Sequence, residues 1–279
     1  MTATEPSASE PPDVHAPSAT TAMRDLWRGA APGWSHHAAA VDARGAHVTR
    51  VMLERSAPVP GDRVLELGCG PGGVGLAAAE LVGPGGAVVL SDLVPEMTEI
   101  AAARAHASGL TNVATRQLDL QQIDEPDASY DVVVCREALM LVPEPAVAVA
   151  EMRRVLRPGG RMAVAVWGPR PQNPWLGALF DAVTAVTGMP VPPPGVPGPF
   201  SLEDASQLQQ LLSDAAFDNI SIDEVDEPLV ADSFDDWWAM VPALAGPLAS
   251  LIASLPPEVV AAIRHHGETA LHTHRTAEG

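Results

Sequence analysis

The sequence contains no lysine; all sixteen basic side chains are arginine. That absence excludes chemistry built on an amine nucleophile, such as a pyridoxal Schiff base. It also excludes the phosphate loop of an NTPase, which requires Gly-Lys-Ser/Thr. Tyrosine is nearly as scarce, with Tyr130 alone, which disfavours reductases that protonate through a paired Tyr and Lys. Two cysteines, Cys69 and Cys135, cannot build a disulfide framework, and no basic-then-apolar leader opens the chain. A reducing, cytoplasmic setting is expected. Long apolar runs are missing too: the longest, 241–255, is too short to span a bilayer and is interrupted by Pro242 and Pro247.

Positive charge is the other deficit. The formal net charge is -19, and residues 201–240 hold eleven Asp or Glu with no Arg. Such a surface repels phosphate backbones and anionic headgroups, so neither nucleic acid nor a membrane is an expected partner. A small-molecule partner remains, and a homodimer is compatible with the composition.

With 47% hydrophobic residues in 279, the chain can bury one large core with smaller caps. Residues 1–20 are rich in Pro, Ser and Thr and have little to bury, which predicts a disordered arm. Residues 21–58 read as a helical lid of two or three helices, with Leu26, Trp27, Trp34, Val41, Val48 and Val51 among polar positions. Between 59 and 168 the apolar runs "RVLEL", "AVVLS", "NVATR", "YDVVVC" and "RMAVAVW" alternate with helical stretches. That alternation predicts a parallel sheet with crossover helices on both faces. Residues 169–200, a helix followed by a proline-rich run, read as a cap insertion. The core resumes over 201–230 with a helix near 202–215 capped by Ser201 and a sixth strand at "NISIDEV". Residues 231–279 predict a second helical lid. No internal repeat is present.

Residues 68–73, "GCGPGG", satisfy G-x-G-x-x-G after a strand and before an Ala-rich helix, a context shared by several nucleotide cofactors. Glu66 discriminates among them. It lies two residues before Gly68 near the end of an otherwise apolar strand, where a carboxylate needs a cationic or donating partner. A diphosphate placed 4 Å away would be repelled by about 4 kcal/mol at an effective dielectric of about 20. S-adenosylmethionine carries an ammonium and a sulfonium and no phosphate, so a carboxylate here attracts it. Asp92 ends the second strand, where a carboxylate can accept both ribose hydroxyls. Leu93 follows it as an adenine-packing residue. Asp119, with Leu120 after the third strand, can accept the adenine amine.

The segments "VLELGCGPGG", "LSDLVPEM", "LDL" and "RVLRPGGRMAVAVW" resemble, in order and spacing, the successive motifs of class I S-adenosylmethionine-dependent methyltransferases. The resemblance covers about residues 60–168 and is greatest to the small-molecule branch that includes the ubiquinone and menaquinone C-methyltransferases. It implies an α/β, Rossmann-like, doubly wound, mostly parallel sheet of seven strands, here with N-terminal, inserted and C-terminal helical caps. It also implies that Gly68, Cys69, Gly70 and Gly72 line the methionine moiety, Glu66 holds its amine, Asp92 the ribose, and Leu93, Asp119 and Leu120 the adenine. Trp34 matches the aromatic lid position of that branch, with Ser35 where the pattern has Asp. The final antiparallel strand of the family has no counterpart in the terminal "LHTHRTAEG".

Methyl transfer is an in-line displacement that asks for alignment and a dry pocket. Base candidates are His37, beside His36 in the lid, and Glu137 after the fourth strand. Arg136 is a candidate for the cofactor's carboxylate. His265, His266, His272 and His274 carry a weak zinc-like spacing, and no metal is expected. The Trp-rich cap stretch "DDWWAMVPALAGPLASLI" suits an apolar or aromatic acceptor. An NAD(P)-binding oxidoreductase and a non-catalytic S-adenosylmethionine-binding protein remain the rival readings.

Overall fold

The computed structural model describes residues 19–275. Five strands, β1 (Arg63–Leu67), β2 (Ala87–Asp92), β3 (Val113–Gln117), β4 (Tyr130–Arg136) and β5 (Leu156–Ala165), form one sheet in the order β3-β2-β1-β4-β5. Every pairing is parallel. Helices α5 (Gly73–Val82), α6 (Pro95–Ala107) and α7 (Pro145–Val155) lie between successive strands. Strand order reverses between β1 and β4, so a crevice opens past their carboxyl ends.

The period of two along each central strand sends alternate residues to opposite layers. Val64, Val132 and Val134 face α5, α6 and the N-terminal helix α4 (Ala46–Ser56), while Leu65, Leu67, Val133 and Cys135 face α7 and α9 (Ala205–Asp214). Both faces are thereby covered, which is why the central strands are almost wholly apolar. Glu66 and, at the start of β4, Asp131 are buried carboxylates among them; Glu66 is in phase with Val64 and therefore directed at α5.

Several expectations from the sequence need correction. The N-terminal lid has four short helices, α1 (Ala19–Arg28), α2 (Ala31–His36), α3 (Ala38–Arg44) and α4. Nearly all of the predicted arm, residues 1–18, lies outside the described residues. Helix α9 begins at Ala205, because Asp204, and not Ser201, accepts the Ser206 N–H at 2.8 Å. "NISIDEV" is not a strand. Ile220 and Ile222 still pack against the core. Its acidic flank, however, is tied to the lid: Asp223 pairs with Arg55 and Glu227 accepts the Val48 N–H. No sixth or seventh strand occurs among the described residues, and the chain instead runs into α12 (Pro257–Leu271).

The insertion and the C-terminal segment form one cap. Helices α8 (Pro174–Thr187), α10 (Phe234–Leu244), α11 (Pro247–Ser254) and α12 share a cluster with Leu179, Phe180, Trp237 and Ile263 at its centre. The two lids also touch: Trp27 closes on Gly246, and Gly33 lies against the Ala243 main chain. Among the described residues no single helix is long and apolar enough to cross a membrane, although the α10 and α11 pair, bent by 113°, passes on length and composition.

Candidate functional site

The turn after β1 brings the predicted residues together. The Cys69 N–H donates to the Ser91 carbonyl at 2.8 Å and the Gly72 N–H to the Cys69 carbonyl at 2.7 Å, folding the loop back over β2. Gly68 has a φ of +62°, and a Cβ there would overlap that of Ala138, so strand β4's exit comes close to the loop. Asp92 ties the two chain turns: one carboxylate oxygen accepts the Gly70 N–H and the other the Val94 N–H, both at 2.9 Å. Burial raises its pKa against those two donors and the Leu93 N–H.

Above the loop lies the lid. The Trp34 indole sits over Gly70, 3.7 Å from where a Cβ would be, and packs with Trp27, Val94 and Met97. Its Nε1 is buried with no acceptor. Asp42 of α3 pairs with Arg104 of α6, and Arg104 Nη1 donates to the Pro71 carbonyl at 2.6 Å, so one arginine fastens the lid to the glycine turn.

Below the loop, Glu66 is 2% exposed and accepts the Gly75 N–H at 2.8 Å. Burial pushes its carboxyl up to about 7, and the Arg136 guanidinium and the N–H groups of Gly75 and Val74 only partly oppose that. Arg136 itself is held by the lid: its Nη1 donates to Thr49 Oγ1 at 2.7 Å and to the Gly45 carbonyl at 3.4 Å. Past β3, Asp119 accepts from Gln121 N–H at 2.9 Å and from the Thr20 hydroxyl at 3.1 Å. Leu93 is half-buried, and Leu120 is buried with Leu118 and Ile123. The thiols of Cys69 and Cys135 are buried and unpaired, and burial raises both pKa values.

The two candidate bases, Glu137 and His37, have other partners. Glu137, the first residue after β4, adopts a left-handed φ of +58° and receives both carboxylate contacts from Arg44 Nη2, at 3.0 and 3.3 Å. His37 packs edge-on against His36, with ring centroids 4.7 Å apart. Burial lowers its pKa, the adjacent His36 lowers it further, and a hydrogen bond to the Ala239 backbone opposes both. Among the described residues no three His, Cys, Asp or Glu side chains are placed to share a metal ion. Sequence reasoning did not single out Gly75, Asp42, Arg104 or Arg44. Gly75 had a signal, since "GGVG" extends the loop by one more close approach; the other three carry none.

The cradle fits S-adenosylmethionine. It offers a buried indole N–H without an acceptor and two Asp92 oxygens that each keep a lone pair after one backbone bond. Of the guanidiniums beside the loop, Arg104 is paired with Asp42 and donates to the Pro71 carbonyl, and Arg136 donates to Thr49 and Gly45.

Comparison with known proteins agrees with that geometry. Residues 58–174 match the family described as "Methyltransferase domain". The nocamycin O-methyltransferase of Saccharothrix syringae is 40% identical over 144 residues, covering 49% of this chain and 51% of the relative. The ubiquinone/menaquinone biosynthesis C-methyltransferase of Ectopseudomonas mendocina is 36% identical over 133 residues, covering 47% and 52%. The chain thus spans about half the length of these curated relatives. The crystal structure of the [4+2]-cyclase SpnF shares the fold across 93% of this chain and 91% of its own, with a TM-score of 0.58 at 20% identity. Sequence motifs, sheet order and cradle converge on the segment 58–174, which matches the methyltransferase domain family.

Proposed function

We propose that the chain transfers the methyl group of S-adenosylmethionine to an O, C or N atom of a small, apolar or aromatic acceptor. The observation that carries this reading is the convergence of Trp34, Gly70 and Asp92 at one point, with a buried carboxylate, Glu66, beneath it.

The bound cofactor supplies an electrophilic methyl group on a sulfonium, so no covalent enzyme group is needed. Glu66 compensates the amino group of the methionine end, Asp92 accepts the ribose hydroxyls, and Leu93, Leu120 and Asp119 border the adenine. Trp34 and the Asp42–Arg104 latch close the crevice and keep water out. Orientation and exclusion of water together contribute on the order of 7 to 11 kcal/mol to such reactions. His37, whose pKa burial lowers, is the base for a hydroxyl acceptor and adds roughly 10²- to 10⁴-fold. Glu137 instead orients Arg44. Two free, buried cysteines support a cytoplasmic location.

The nocamycin and ubiquinone/menaquinone relatives support a small organic acceptor. SpnF, named as a cyclase, supports a second reading in which the cofactor is held and the acceptor is rearranged without methylation. The experiment is incubation with methyl-labelled S-adenosylmethionine and a panel of phenols, quinols, β-dicarbonyls and amines, followed by product mass analysis. Label in the acceptor supports methyl transfer; an isomerised, unlabelled product supports the second reading. Calorimetric binding of NADH but not S-adenosylhomocysteine would overturn both.

A further inference from the structure

We infer that Arg44 is a specificity-determining residue, and that the acceptor carries an acidic oxygen, a carboxylate or phenolate on a planar ring, which Arg44 binds. Four chain segments meet at this arginine. It is the last residue of α3, Glu137 leaves β4, Trp167 lies two residues past β5, and Trp175 opens α8. All four stand at the carboxyl edge of the sheet, where the crevice between β1 and β4 opens.

The guanidinium is caged from two sides. Its carbon lies 4.8 Å from the centre of the Trp167 ring and 5.7 Å from that of Trp175, and the two indoles meet edge-on at 5.1 Å. Only 12% of its side-chain surface and 16% of that of Glu137 remain exposed. Glu137 uses one nitrogen alone, since both of its oxygens accept from Nη2. Nη1 is buried with no acceptor. A guanidinium is a rigid fork of five donors that suits paired oxygens, and a buried charged donor left unmatched is destabilising. A clip that merely fastened lid to sheet would leave no such donor over.

Of the cage residues, Trp175 also lines a cavity of about 600 Å³ whose other walls include Leu229, Phe234, Trp237 and Leu271, within the range that takes a drug-sized molecule. A flat ring in that cavity can lie against Trp175 with its acidic oxygen directed at the guanidinium. The left-handed Glu137 fits the same picture, because strained non-glycine backbone persists where the surroundings over-determine it and clusters at ligand clamps. Tethered to the Ala165 carbonyl through its own N–H at 2.8 Å, Glu137 aims the guanidinium from a fixed point.

This inference rests on the methyl-transfer reading for the presence of an acceptor, and the test separates the two. With the full chain saturated in S-adenosylhomocysteine, 2-naphthoate, 2-naphtholate and the neutral isostere 2-naphthamide are titrated against tryptophan fluorescence. Either anion is expected to bind at least about tenfold more tightly than the amide, and whichever of naphthoate and naphtholate is preferred identifies the acidic group. In Arg44→Gln the preference is expected to vanish while amide affinity holds; in Arg44→Lys a part of it survives. The double variant Arg44→Gln/Glu137→Gln, which leaves no unpaired carboxylate, should behave as the single one does. Anion and amide binding alike in the native protein, no binding of either, or a preference that persists in Arg44→Gln would overturn the inference. Failure to bind S-adenosylhomocysteine would instead overturn the function itself.

Discussion

The Glu66 carboxylate accepts the N–H of Gly75 at 2.8 Å, beneath the glycine turn and shut off from water. Glu66 thus has a partner within the chain, and burial raises its pKa from 4.5 to about 7. A carboxyl with a raised native pKa binds its proton more tightly folded than unfolded. Its contribution to stability is therefore full below about pH 4 and is lost as pH rises through about 7.

From this follows a pH-dependent trade between stability and binding. The loss across that window is about 3 kcal/mol at most. Glu66→Gln keeps an acceptor for Gly75 and cannot ionise, so its free protein is expected to melt higher than wild type at pH 8 and equally at pH 5. Cofactor binding needs the ionised form, so affinity for S-adenosylhomocysteine should weaken about tenfold per pH unit below 7. Calorimetry in buffers of different ionisation enthalpy should detect proton release at pH 6.5 in wild type and none in the variant. Release that persists in Glu66→Gln would remove Glu66 from the site.

Gly75 is bound into the same arrangement from the other side. Its backbone is ordinary helix, but a Cβ would overlap Leu90 and come within 2.5 Å of Glu66 Oε2. Replacement by alanine, which in an exposed helix would stabilise, is expected to destabilise by about 1 to 3 kcal/mol, as overpacking does. Chemical denaturation measures it. Gly85→Ala, where a Cβ meets nothing, serves as the control and should show no such loss.

How far the sequence alone reaches is visible in these residues. The sheet, its crossovers and the cradle of Glu66, Gly68, Gly70 and Asp92 were legible because each depends on local pattern: apolar strands, a turn that needs glycine, and carboxylates at strand ends. The failed strand at 219–225 has the right apolar alternation, but pairing is decided by Asp223 and Glu227 reaching Arg55 and Val48, contacts more than 160 positions away that leave no periodic mark. Asp42, Arg44 and Arg104 were silent for the same reason. Charged residues on short helices look solvated until packing brings them to the loop.

The Asp42–Arg104 pair gives the third prediction. It joins α3 to α6, and Arg104 reaches on to the Pro71 carbonyl. Breaking it frees the lid from α6. Asp42→Ala is expected to raise amide hydrogen exchange across 31–44 and to weaken S-adenosylhomocysteine binding roughly tenfold through faster dissociation. Arg104→Ala, which also deletes the contact to the Pro71 carbonyl, should lose at least as much, and the double variant should be no worse than Arg104→Ala, because the ion pair is already gone there. Additive losses in the double variant would show that the two residues act separately.

Trp34 separates packing from hydrogen bonding. Its ring covers Gly70 and its Nε1 is buried without an acceptor, and an unmatched buried donor costs about 1 to 3 kcal/mol. Phenylalanine keeps an aromatic face and deletes the donor, so Trp34→Phe should melt at or above the wild-type temperature in the free protein. If the cofactor supplies the missing acceptor, the same variant should bind S-adenosylhomocysteine about tenfold more weakly, since one hydrogen bond is lost only in the complex. Trp34→Ala removes the cover as well and should lose both stability and affinity. The two readouts pull apart only if the indole N–H is reserved for ligand. Wild-type affinity in Trp34→Phe would mean that the tryptophan is a wall of the lid and contributes no polar contact to the site.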